Sequence, residues 1–187
     1  MMDALLRLSD VLRRLLERIA LASGWLLVAM ACLTTFDVVA RKFGVPLAYT
    51  KLQELEWHLH AALFSLWMGY CYTINAHPRI DTLHERLSDR GRAWIELGGC
   101  LLLGLPYMAL VAYFSLDFVA LSFQLDEQSD SGTGLPHRWI IKGIYAAGLW
   151  LVVLGVISVM FRVIVFLFGG KPDREVDLRI GSVAADV

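Results

Sequence analysis

The chain has 187 residues, 57% of them hydrophobic and 19% charged, with a mean hydropathy of +0.58 and a formal net charge of −1. A soluble domain carries about 25% charged and about 45–50% apolar residues, so this composition argues against a soluble globular chain. The balanced charge leaves no basic footprint for nucleic acid, and no nucleic-acid partner is expected.

The apolar excess sits in four blocks without Asp, Glu, Lys or Arg: residues 19–36, 57–76, 97–116 and 143–161, which are 18, 20, 20 and 19 residues long. A helix needs about 20 such residues to cross roughly 30 Å of hydrocarbon. The blocks predict an all-α integral membrane protein with four transmembrane helices, over about 19–41, 55–76, 94–118 and 139–168.

Before the first block, Leu5, Leu8, Leu12, Leu15 and Ile19 recur three or four apart, while Arg7, Arg13, Arg14 and Glu17 occupy other faces. Residues 1–18 therefore read as a basic amphipathic helix suited to an anionic leaflet, or equally as a cytoplasmic extension of the first span. The first block exceeds the roughly 7–15 apolar residues of a signal peptide and has no A-x-A-like cleavage site after it, so it reads as a retained span. Asp37 and Arg41, four apart at its end, can form an ion pair on one helix face.

Gly44 and Pro46 break the helix. Beyond them, Tyr49, Leu52, Leu55 and Leu59 suggest one apolar stripe and Lys51, Glu54 and His58 another, which predicts a short interfacial helix leading into the second span. In the middle loop, Thr82 and Glu85 have capping-box spacing, and Ser88 is placed to cap the third helix. Pro106 should kink that helix. The fourth stretch runs past Arg162 to Phe168, about 43 Å from Ile140, so it must tilt or project. The polar tail, 169–187, is expected to be flexible.

Twelve Lys and Arg residues fall in the N-terminal segment, the middle loop and the C-terminal stretch from Arg162 on, against five at the other two connections. That bias predicts both termini in the cytoplasm. Trp57, Trp139 and Tyr145 would then mark the outer interface, and Tyr70, Tyr72 and Trp94 the inner one; Trp67 and Trp150 lie deeper. Cys32, Cys71 and Cys100 stand alone in apolar blocks and read as small packed hydrophobes.

The span centres hold no ionisable residue, whereas a transport pathway normally carries some. A four-helix haem protein would need facing histidines, but His58, His60, His77, His84 and His137 leave the first, third and fourth blocks empty. Nor does block 19–36 hold the deep carboxylate of small drug exporters. No phosphate loop, nucleophile–base pair or metal-spaced cluster occurs, so neither an enzyme nor a cofactor is expected.

Four segments carry a family resemblance: Phe36-Asp37-Val38-Val39-Ala40-Arg41 with Pro46 and Glu54; His77-Pro78-Arg79-Ile80-Asp81; Arg86-Leu87-Ser88-Asp89-Arg90-Gly91-Arg92; and Gly134-Leu135-Pro136-His137-Arg138-Trp139-Ile140-Ile141-Lys142. In order and placement the chain resembles, over residues 15–170, the small DctQ-like membrane subunit of tripartite ATP-independent periplasmic (TRAP) transporters. Pro78 and Asp89 depart from the residues usual there. The resemblance implies a multi-pass scaffold in the bacterial inner membrane. It would support a large multi-span subunit (M) that holds the sodium and substrate sites and moves as an elevator. A periplasmic binding protein (P) would deliver an organic carboxylate, with uptake driven by sodium. On this reading Asp37, Arg41, Lys51, Glu54, Glu56, Arg138, Trp139 and Lys142 are docking or anchoring residues, and His77, Arg79 and Asp81 fix the middle loop or meet lipid headgroups; bound phospholipid is compatible with it. A membrane-anchor or electron-transfer subunit of another complex is the alternative.

Overall fold

The structure is a computed structural model, and it describes residues 1–45, 47, 49–76, 87–169 and 176–177. The described residues are helical, without strands: α1 (Met2–Ser23), α2 (Trp25–Lys42), α3 (Tyr49–Thr73), α4 (Asp89–Gly99), a π-helical turn (Cys100–Gly104), α5 (Leu105–Gln124) and α6 (Trp139–Phe168). Three stretches are long and apolar enough to cross a membrane: Met2–Lys42, Asp89–Gln124 and Trp139–Phe168.

The remaining expected span, 55–76, corresponds to α3. Its 25 residues give about 37 Å of helix, a sufficient length. Hydropathy is what it lacks, because Lys51, Glu54, Glu56, His58 and His60 crowd its first half, and Ser65, Trp67, Gly69, Tyr70 and Tyr72 replace aliphatic residues in its second.

Those small residues place α3. Ser65, Gly69 and Thr73 recur every fourth position and are all buried. Ser65 and Gly69 meet Gly148 and Gly155 of α6 so closely that no side chain fits between. A Cβ added at Gly69 would lie 2.4 Å from the Leu151 carbonyl oxygen, and one at Gly155 would lie 2.6 Å from the Gly69 oxygen. Small residues at such a crossing let two backbones gain van der Waals contact without apolar side chains.

Ser65 faces Gly148, and Gly69 faces Leu151 and Gly155, so α3 and α6 run in the same direction. Parallel neighbours cannot close into a simple up-and-down bundle. Instead α2 packs on α3, α3 on α6, and α6 on α4 and α5, forming a curved row with α2 and α5 at its edges. On one side of the row, Met68 and Tyr72 of α3 join Cys100, Met108, Val152 and Val156 in one apolar cluster.

Packed across α3 and α6 lies α1. The Trp67 indole N–H of α3 donates to the Ala20 carbonyl at 2.8 Å, and the Ser9 hydroxyl donates to the Ser158 carbonyl of α6 at 2.9 Å. Ser9, Leu16, Ala20 and Ser23 form the buried edge of α1. The Trp67 indole N–H is thus bound to protein while part of its ring stays exposed.

Two local expectations can be read directly. The Ser88 side chain accepts a hydrogen bond from the Gly91 amide at 3.2 Å and caps α4. Where a kink is expected at Pro106, the turn just before it, Cys100–Gly104, has π geometry. Proline has no N–H, and its ring crowds the carbonyl four residues back, so one widened turn absorbs the conflict.

Candidate functional site

The charged residues gather at the two ends of the row. One end holds the connection from α2 to α3 and the loop from Leu125 to Arg138; the other holds the start of α1, the start of α4 and the end of α6.

At the first end, Glu54 organises the loop. It is 8% exposed although it sits in the first turns of α3. Its carboxylate accepts hydrogen bonds from the Leu135 amide and the Ser129 hydroxyl, with the Arg138 guanidinium 3.7 Å away. The expected polar stripe of Lys51, Glu54 and His58 therefore divides: Glu54 turns inward while Lys51 stays exposed. Gly134 makes room for this arrangement, since a Cβ there would lie 2.2 Å from Ser129 and 2.7 Å from the Glu54 carboxylate. The loop is closed at its neck by the Arg138 amide on the Glu127 carbonyl at 2.9 Å and the Ser129 amide on the Leu135 carbonyl at 3.1 Å.

Two further pairs flank this latch. Lys142 binds Glu127 and stands 3.8 Å over the Phe118 ring. Asp37 and Arg41 make the ion pair their spacing suggests, at 2.8 Å, and the Arg41 guanidinium lies over the Tyr49 ring. Asp37 is buried, and one of its oxygens has no hydrogen-bond partner; the same holds for one oxygen of Glu56. Trp139 packs edge-on against Phe123.

The Leu135 amide and the Ser129 hydroxyl, assisted by Arg138, hold the Glu54 carboxyl below the usual carboxylate range. Lys142 does the same for Glu127. Glu54 precedes the apolar part of α3, and Glu127 lies in the loop after α5. The arrangement is a set of mutually neutralised ions holding a shaped loop, suited to presenting a fixed surface.

The sequence missed the other end. Arg162, counted there only as a cytoplasmic charge, is 8% exposed; it binds Asp10 of α1 and the Val176 carbonyl of the tail. Arg13 binds Asp177, and Val176 is fully buried. Nearby the Tyr72 hydroxyl donates to Glu96 at 2.8 Å, so Tyr72 is tied into the packing. A lone arginine within the most apolar helix was the available signal. His77, Arg79, Asp81 and the Thr82–Glu85 spacing lie outside the described residues.

A family model described as "Tripartite ATP-independent periplasmic transporters, DctQ component" matches residues 30–166. No curated protein and no solved structure matches the chain. The matched span runs from the middle of α2 to the last turns of α6, and it contains the Glu54 latch and both flanking ion pairs.

Proposed function

The chain belongs to the DctQ component family of the tripartite ATP-independent periplasmic transporters, and from that premise we propose that it is the stationary wall of such a transporter. The family is one of transporter components, not of enzymes, and its members work beside other subunits. On our reading α3 is the fourth span, both termini face the cytoplasm of a bacterial inner membrane, and α1 lies along the inner interface. The large subunit packs against the row, holds the sodium sites and carries an organic carboxylate supplied by the binding protein. The latched loop and its neighbours Lys51, Arg138 and Lys142 form the periplasmic surface where that protein settles.

One observation carries this reading: the four helices form a row in which every charged cluster sits at an end. Such a row is a support, with no buried polar route along its helices to accept a solute.

The test exploits the Ser9–Ser158 contact, whose hydroxyl oxygens are 3.0 Å apart. Ser9→Cys with Ser158→Cys, in a background without Cys32, Cys71 and Cys100, should lock α1 to α6 on oxidation. A stationary support predicts unchanged sodium-driven uptake in proteoliposomes of the whole complex. Uptake that stops on oxidation and returns on reduction would show that the chain itself must move.

A further inference from the structure

The start of α1 and the end of α6 enclose a polar pocket of about 410 Å³, lined by Asp10, Arg13, Arg14, Glu17, Arg162 and Asp177. Three arginines face three carboxylates, but they do not all neutralise one another. Arg162 is bound to Asp10 and Arg13 to Asp177. Arg14 and Glu17 make no ion pair among the described residues; the Arg14 Nε–H donates to the Asp10 carbonyl at 3.2 Å. They are three apart on α1 and so share a face. Arg162, more than nine-tenths buried, also keeps an Nε–H without a partner. The pocket thus offers one unspent cation and one unspent carboxylate, with a buried donor in its wall.

Depth identifies the ligand. Arg162 follows Trp139 by 23 residues, about 35 Å along α6, against roughly 30 Å of hydrocarbon, which puts the pocket at the headgroup layer. We infer that this pocket binds the phosphoethanolamine headgroup of an inner-leaflet phospholipid, its phosphate on Arg14 and its ammonium on Glu17. A headgroup with phosphate alone leaves Glu17 unpaired beside it. A choline headgroup carries the positive charge but cannot donate hydrogen bonds to the carboxylate. A primary ammonium satisfies both. The inference rests on the orientation proposed above, but its readout is lipid selectivity, which does not depend on transport or on the binding protein.

The experiment is native mass spectrometry of the purified complex in micelles containing equal amounts of phosphatidylethanolamine, phosphatidylcholine and phosphatidylglycerol with matched acyl chains. One charge-assisted contact predicts retention of the ethanolamine lipid about tenfold over the choline lipid. Glu17→Gln should bring that ratio to near one and leave phosphatidylglycerol retention unchanged or raised. Arg14→Gln should lower retention of all three. Arg14 is exposed and Glu17 half-buried, so both variants should keep the parent helicity and melting temperature, which are measured alongside. Equal retention of the three lipids by the parent chain, or a preference that survives Glu17→Gln, overturns the proposal. So does displacement of the lipid by soluble phosphoethanolamine at matched concentration, which would make the pocket a site for a soluble ligand.

Discussion

Within the row, α6 and α2 are opposites. More than half of the apolar window of α6 is buried inside the chain, 56%, against two of the eighteen residues of α2. Both are apolar, so hydrophobicity does not decide which becomes core. In a bilayer a leucine gains little by leaving lipid for protein, and close approach of backbones matters more. The buried positions of α6 include Gly148 and Gly155, which match Ser65 and Gly69 of α3, whereas α2 buries only Asp37 and Ala40. The central pair is held by shape. The edge helix is held at its ends by a few polar contacts and leaves its flank to lipid or a partner.

Gly69→Leu attacks the difference most directly. The side chain would collide with the Leu151 backbone, which cannot give way, and the cost should reach or exceed about 1–3 kcal/mol, read as a lowered melting temperature in micelles. Glu54→Ala should leave α3–α6 intact but open the loop, with amide exchange at Leu135 rising about tenfold or more. The same latch has a pH dependence. The folded pKa values of Glu54 and Glu127 lie below the ordinary 4.5, so their contribution is fully present above about pH 4.5 and is lost as pH falls through the lower folded values. Loop protection, taken relative to the intrinsic exchange rate at each pH, should therefore be constant from neutral pH to about 4.5 and fall below it; a loss of protection already at pH 6 would assign the latch to another group. Trp67→Phe removes the hydrogen bond to Ala20 together with the part of the ring near Gly24 and should cost about 1 kcal/mol or more in the same melt. Thr35→Leu, on the exposed flank of α2, should stay within about 0.5 kcal/mol for the isolated chain. If it instead weakens assembly with the large subunit, that flank is the interface.

Features that rest on local spacing were legible in the sequence. Three apolar stretches, the Ser88 cap, the disturbance at Pro106 and the Asp37–Arg41 pair each depend on residues within a few turns of one another. What escaped depends on distance along the chain. Glu54 meets Ser129 across 75 positions, and Ser9 meets Ser158 across 149. No periodicity in either segment reveals its partner, so Glu54 read as a surface group and Arg162 as a cytoplasmic charge. The α3–α6 crossing had left a trace in the four-residue repeat of Ser65, Gly69 and Thr73, but a hydropathy count treats those residues as weaknesses of a span.

The row has a mechanical consequence. Axes about 8–10 Å apart spread four helices over roughly 25–30 Å in one direction, with much less depth in the other. In a two-dimensional fluid such a plate resists turning and broadside drift more than a compact cylinder of the same helices. If one broad face takes the thrust of a moving neighbour, the lipid against the other face supplies the reaction. On the function proposed above, the protein would work as a keel, with the bilayer as part of what holds the machine still.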